Sequence, residues 1–283
     1  MKKHVSAVCL AVILLLGIGL LLYPAVSDYW NSLHQSRAIA AYAGSVADIN
    51  AERRSLLLMR AEEYNHRLAA SGSDFLLSED QLTEYNGLLD VDDSGIIGYI
   101  EIGRIGCSLP IYHGTEASVL QIAVGHIAGS SLPIGGEGTH CVLSGHRGLP
   151  SARIFTDLDK LTEGDTFAIF VLGDELTYEV DDIRTVIPSE IGSLKIEAGK
   201  DLCTLVTCTP YGVNTHRLLV RGHRVENSGA VSVRVGADAL LIDKTVTAPF
   251  FALPIIIVWL VVTFVRANAK EKRGAVRRKL GLK

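Results

Sequence analysis

Thr204-Leu205-Val206-Thr207-Cys208-Thr209-Pro210-Tyr211-Gly212-Val213-Asn214-Thr215-His216-Arg217-Leu218-Leu219-Val220-Arg221-Gly222-His223-Arg224 is the stretch that decides the fold. Two apolar, β-branched runs flank a segment rich in Pro, Gly and Asn, so it reads as strand, turn and strand. Cys208 falls at the end of the first strand, where a thiol can point into a cleft. Arg217 follows nine residues later, at the start of the second. If the two strands are antiparallel neighbours, the turn returns Arg217 to the side of Cys208. A guanidinium there favours a thiolate and offers planar donors to a developing oxyanion.

The same texture extends back to Gly95, as short apolar runs separated by Gly, Pro and Asp. Residues 98–105, 119–124, 139–144, 166–171, 176–187, 201–207 and 217–225 are the expected strands. Short strands at this spacing read as an all-β barrel or sandwich, and there is little room for the crossover helices of an α/β fold. From 28 to about 70 the composition differs: no Pro, one Gly and many helix formers, ending at Ser71-Gly72-Ser73. That segment reads as an amphipathic helical stalk.

A nucleophilic thiol needs an acid/base partner, normally His. His146 is placed best of the nine, because Val142-Leu143-Ser144 reads as a strand and Gly145-His146-Arg147-Gly148 as its tight exit loop. A metal site built from His140, Cys141, His146 and Cys208 has no paired ligand spacing behind it, so neither a metal nor a cofactor is expected. Cys107, Cys141 and Cys203 leave a disulfide pairing open. Cys203 lies an odd number of residues from Cys208, hence on the opposite face of the strand, in the core.

Charge sets the topology. The formal net charge of −4 and mean hydropathy of +0.28 hide a partition. Residues 1–27 carry Lys2 and Lys3 and no acid, and residues 266–283 carry eight bases against Glu271; the 17 bases and 30 acids between make an acidic body. A nucleic-acid binder is disfavoured. Residues 5–27 and 245–265 are uncharged, apolar and long enough to span a bilayer. The basic ends then face the cytoplasm and residues 28–244 lie outside. The first run also has a loose small-x-small site at Ala25-Val26-Ser27, so a cleaved signal is the alternative.

At these residues the chain resembles the sortase family of cysteine transpeptidases, and in particular its class C, pilus-assembling branch. Thr204-Leu205-Val206-Thr207-Cys208 resembles the family's Thr-Leu-x-Thr-Cys signature, and Arg217 falls where its essential Arg is expected. The run from Cys208 to Arg224 resembles class C, as does Leu143-Ser144-Gly145-His146-Arg147-Gly148-Leu149-Pro150 with Ile154-Phe155-Thr156-Asp157-Leu158-Asp159-Lys160-Leu161. So does Gly98-Tyr99-Ile100-Glu101-Ile102, and the likeness covers about residues 95–226.

The resemblance implies a mainly β fold, a closed barrel of about eight strands with an N-terminal helical stalk and a transmembrane helix at each end. Its segments would be an anchor or signal at 1–27, a stalk at 28–70, a lid and linker at 71–94 and the catalytic barrel at 95–226. A connector at 227–244, a membrane helix at 245–265 and a cytoplasmic tail at 266–283 would follow. It further implies Cys208 as nucleophile, His146 as general acid/base and Arg217 as stabiliser of substrate and oxyanion. The substrate would be a Leu-Pro-x-Thr-Gly-like sorting signal on a secreted pilin or surface protein. The acceptor would be a pilin Lys or, in the alternative, a peptidoglycan amine. Class C lids carry an Asp-Pro-aromatic motif. Ser73-Asp74-Phe75-Leu76-Leu77 keeps the Asp and the aromatic and lacks the Pro, so Asp74 and Phe75 are either a lid or a plain surface turn. A non-catalytic assembly scaffold is the reading from a different class; it gives no reason for a reactive thiol beside His and Arg.

Overall fold

Strand alternation begins at Ile96, where Gly and Ser give way to β-branched residues. In the computed structural model, which describes residues 2–73 and 75–227, the strands are Ile96–Ile102 (β1), Cys107–His113 (β2), Val124–His126 (β3) and Thr139–Ser144 (β4). Thr166–Val171 (β5), Asp174–Val186 (β6), Asp201–Thr209 (β7) and His216–Val225 (β8) complete the set. They close into a barrel in the order β1-β2-β3-β4-β7-β8-β6-β5. The pairs β2–β3 and β4–β7 are parallel and the others antiparallel. Closure leaves no unpaired sheet edge, and inward-facing residues such as Ile100, Ile111, Leu143, Leu205 and Val220 fill the interior.

Two strand expectations change. Residues 119–124 do not form a strand: Ala117–Leu120 is a single helical turn, α4 in chain order, and the short β3 begins only at Val124. A further strand, Cys107–His113, lies outside the expected set and contains Pro110. Pro110 faces Tyr99 of β1 and lies one residue before pairing with β3 begins at Ile111, so its missing N–H leaves no ladder bond unmade.

Three longer helices precede the barrel: Lys2–Asp48 (α1), Ala51–Ser71 (α2) and Glu79–Asn86 (α3). The Asn50 side chain accepts from Arg53 N to start α2, and a Ser78/Gln81 capping box starts α3. The barrel-facing residues of α1 recur at helical spacing, and Ala38, Tyr42 and Val46 pack against the core. The Tyr42 hydroxyl donates to Ile97 O and accepts from Leu172 N, both at 3.0 Å. From α2, Leu57, Ala61, Tyr64 and Leu68 are buried while Leu56 and Met59 face solvent. Asn65 Oδ1 accepts from Leu132 N and its Nδ2 donates to Leu132 O. From α3, the Tyr85 hydroxyl reaches His126 and Gly114 N inside the barrel wall. Among the described residues, one helix is long and apolar enough to cross a membrane, in α1. The second expected span, 245–265, and the tail after it lie outside the described residues.

Candidate active site

The β7–β8 ladder carries the thiol and the guanidinium. Cys208 and Arg217 are Cα partners in this antiparallel pair, so their side chains leave the same face of the sheet. Parity says which face. Cys203 and Leu205 of β7 join the core, as do Leu218 and Val220 of β8, so Cys208 and Arg217 point outward. Cys208, His146 and Arg217 are all partly exposed.

The histidine loop is brought alongside by β4, which runs parallel to β7 with Ser144 opposite Val206. Beyond Ser144, Gly145 N donates to Val206 O at 3.0 Å and Thr207 Oγ1 donates to Gly145 O at 2.7 Å. Continuing that register by two residues brings His146 level with Cys208. Cys208 and Arg217 thus share one face of the β7–β8 pair, and the loop that carries His146 leaves β4 beside the same strand end.

Packing shapes this loop. A Cβ on Gly145 would come within 2.6 Å of the Phe155 ring, and one on Gly148, at φ +78°, within 2.8 Å of the Tyr211 ring. Phe155 N closes the loop by donating to His146 O at 3.0 Å. Arg147, whose side chain is 10% exposed, donates to Thr209 Oγ1 at 3.3 Å and pairs with Asp159. One guanidinium thus ties the residue after His146 to the residue after Cys208. Arg147 lies inside a sequence block already singled out, but nothing in its spacing announced this bridge.

Next to the polar end lies an apolar floor. Val142, Val206 and Leu219 form it on the outer face, with Val186 and Leu194 beside them, and Phe75 and Ile127 pack against it. Phe75 therefore covers the outer faces of the strands that carry Cys208 and Arg217. Asp74 lies outside the described residues. Beyond the floor, His140 Nε2 and Thr204 Oγ1 lie 2.7 Å apart and His140 Nδ1 lies 2.8 Å from Lys195 O. Burial holds the His140 imidazole below its ordinary range, so it is a neutral pin for the 187–200 segment. Arg221 completes the pin with a bidentate pair to Asp181 and a bond to Glu197. His140 is thereby separated from Cys208, and the metal set of His140, Cys141, His146 and Cys208 is not brought together: Cys141 faces the core. No group of three or more potential metal ligands occurs among the described residues.

Cys141 and Cys203 are register partners inside the barrel, and both are free thiols, as are Cys107 and Cys208.

The fold is a closed eight-stranded barrel with Cys208 and Arg217 paired on its outer face and the His146 loop next to them. Residues 100–225 match the Sortase domain family model. The sortase C1 structure from Streptococcus agalactiae is similar at 52% identity and a TM-score of 0.66, over 68% of this chain and 99% of that one. A Clostridium perfringens sortase C, solved with the C-terminal cell wall sorting motif, is 41% identical with a TM-score of 0.60, over 68% and 99% of the two chains. Sortase D of Bacillus subtilis (strain 168) is 32% identical over 131 residues, 45% of this chain and 63% of that protein. The chain thus spans less than two thirds of that curated relative. It belongs to the sortase family, and class C sortases are among its structural neighbours.

Proposed function

We propose that this protein is a membrane-anchored cysteine transpeptidase that cleaves a Leu-Pro-x-Thr-Gly-like sorting signal between Thr and Gly and joins the new carboxyl end to an amine. The observation that carries this reading is the pairing of Cys208 with Arg217 across β7 and β8, with the His146 loop in register beside them. The Cys208 thiolate attacks the Thr carbonyl carbon, and the negative charge passes to its oxygen. The Arg217 guanidinium faces that oxygen with planar donors. His146 gives its proton to the departing Gly nitrogen, the C–N bond breaks, and a thioester remains on Cys208. An incoming amine then loses a proton to His146, attacks the thioester carbonyl and releases the thiolate.

The amine is taken to be a pilin Lys, so that the product is an isopeptide-linked polymer; likeness to sortase C structures supports this over a peptidoglycan amine. Phe75 on the apolar floor supports reading 74–75 as a lid over the groove that the signal must enter. The uncharged run at 5–27 within α1, and the apolar run at 245–265, support membrane anchoring with the barrel outside.

The test incubates the full chain in vesicles with a Leu-Pro-x-Thr-Gly peptide and examines Cys208 by mass spectrometry. A thioacyl adduct on Cys208, absent in Cys208→Ala and about several-fold faster to form in Phe75→Ala, is the expected result. No adduct in either the native chain or Phe75→Ala with a panel of related signals overturns the catalytic reading. Adding purified pilin then yields a covalent ladder if Lys is the acceptor, and none if the acceptor is peptidoglycan.

A further inference from the structure

The barrel holds four free cysteines, Cys107, Cys141, Cys203 and Cys208, and the transfer chemistry above uses only Cys208. Cys107 directs its Sγ at Ile154 O, 3.8 Å away. Cys141 and Cys203 remain. They are Cα partners midway along the parallel β4–β7 ladder, which runs from Thr139 opposite Asp201 to Ser144 opposite Val206. Both side chains enter the core, 2% and 0% exposed. Burial opposes ionisation at both thiols. At Cys141 it is outweighed by hydrogen bonds with the Cys203 thiol and the His126 ring, so the Cys141 pKa falls while that of Cys203 rises.

Two thiols in this arrangement are one oxidation away from a covalent bond. A disulfide needs Cα atoms about 4.4–6.8 Å apart, and neighbouring strands stand about 4.8 Å apart. Register partners that both face the core direct their Cβ bonds to the same side, and closing the bond draws the strands together by less than about 1 Å. Position gives the bond a consequence. Five residues beyond Cys141 the chain reaches His146, and five beyond Cys203 it reaches Cys208. A bridge staples the strand that carries the nucleophile to the strand that leads into the His146 loop. The odd offset puts Cys208 on the outer face, so the bridge closes without drawing in the reactive thiol.

We propose that Cys141 and Cys203 are a disulfide-forming pair, oxidised as the barrel folds by thiol–disulfide exchange with a small-molecule or protein disulfide. The Cys141 thiolate attacks one sulfur of the oxidant, whose S–S bond breaks and releases a first thiolate. The Cys203 thiolate then attacks the Cys141 sulfur of the mixed disulfide and releases the second. Two electrons pass to the oxidant, and the two cysteine protons end on its two thiols. Both sulfurs are shut in once the barrel closes, so the exchange precedes closure and the finished wall shields the bond. The supply of oxidant rests on the reading that the barrel lies outside the cell, whereas the pairing itself does not.

The test synthesises the full chain into phosphatidylcholine vesicles in two buffers, one containing oxidised glutathione and the other only reduced glutathione. The fraction that resists limited proteolysis is denatured in iodoacetamide, digested without reductant and examined by mass spectrometry. The expected result is a peptide pair joined through Cys141 and Cys203 in the first sample and alkylated thiols at both positions in the second. The bridged chain should also unfold at a midpoint at least about 4 °C higher, because a closed loop of about 60 residues restricts the unfolded chain. Cys141→Ala/Cys203→Ala should melt at one temperature in both buffers. Alkylated Cys141 and Cys203 in the oxidised sample, or a link from either to Cys208, overturns the inference and leaves the transpeptidase reading standing. A joined pair with an unchanged midpoint, or the same shift in the double variant, overturns the stapling of β4 to β7.

Discussion

At Arg217, charge and shape act separately. The side chain leaves β8 directly across from Cys208, and its Nη1 also donates to its neighbouring backbone carbonyls at Asn214 and His216. A lysine keeps the charge and loses the planar fork, so Arg217→Lys should lower kcat/KM for peptide cleavage by about 10²–10³ while leaving the melting temperature unchanged. A loss under threefold would remove Arg217 from oxyanion stabilisation. His113 tests a different property of single residues. It lies buried against the ring of Tyr85, beside His126, and burial brings its pKa down to about 4. Unfolding restores the ordinary value of about 6.5, so the unfolded chain binds more protons between those two pH values. Folded stability should therefore fall by up to about 1.4 kcal/mol per pH unit from pH 6.5 towards pH 4, and His113→Gln should flatten that slope in urea melts. An unchanged slope in the variant would assign the acid lability to other groups.

Elements are the scale at which the His146 loop is built. Neither β4 nor the 145–153 loop has contacts within itself that would hold His146 level with Cys208; the register with β7 and the ring of Phe155 do this. Gly145→Ala should force the loop away from Phe155, cost about 1–3 kcal/mol of stability and lower kcat at least tenfold with KM nearly unchanged. Wild-type kcat in a folded variant would mean that the loop adjusts without moving the imidazole. The strands on either side of this loop were legible before the fold was known. The runs expected at 139–144 and 166–171 match β4 and β5 to the residue, bounded on both sides by turn residues. The failures have local causes. At 119–124 the apolar residues suit either a strand or a helical turn, and six residues of periodicity cannot separate them. At 107–113 Pro110 interrupts the run, and it fits a strand because it lies just before pairing with β3 begins at Ile111.

For the whole molecule, the question is how the helices before the barrel become part of it. Tyr42 is the clearest joint, 2% exposed, with its hydroxyl shared between Ile97 O and Leu172 N. Tyr42→Phe strands both backbone groups and should cost about 1–3 kcal/mol in thermal or urea unfolding, with cleavage of a soluble peptide unaffected. A neutral substitution would show that α1 contributes little to barrel stability. The sequence by itself determined the β class, the helical stretch before it, the Cys208–Arg217 turn and the glycine-flanked His146, because hydrophobic periodicity and turn chemistry act over a few neighbouring residues. Only the tertiary structure decided that β4 lies parallel to β7, that Phe75 covers the apolar floor, that Arg147 joins the residue after His146 to the residue after Cys208 and that Asp28 and Asn31 hold the loop after His146. Each of these joins residues more than 60 positions apart in the chain. Such contacts depend on how the barrel closes, and closure is a property of all eight strands together.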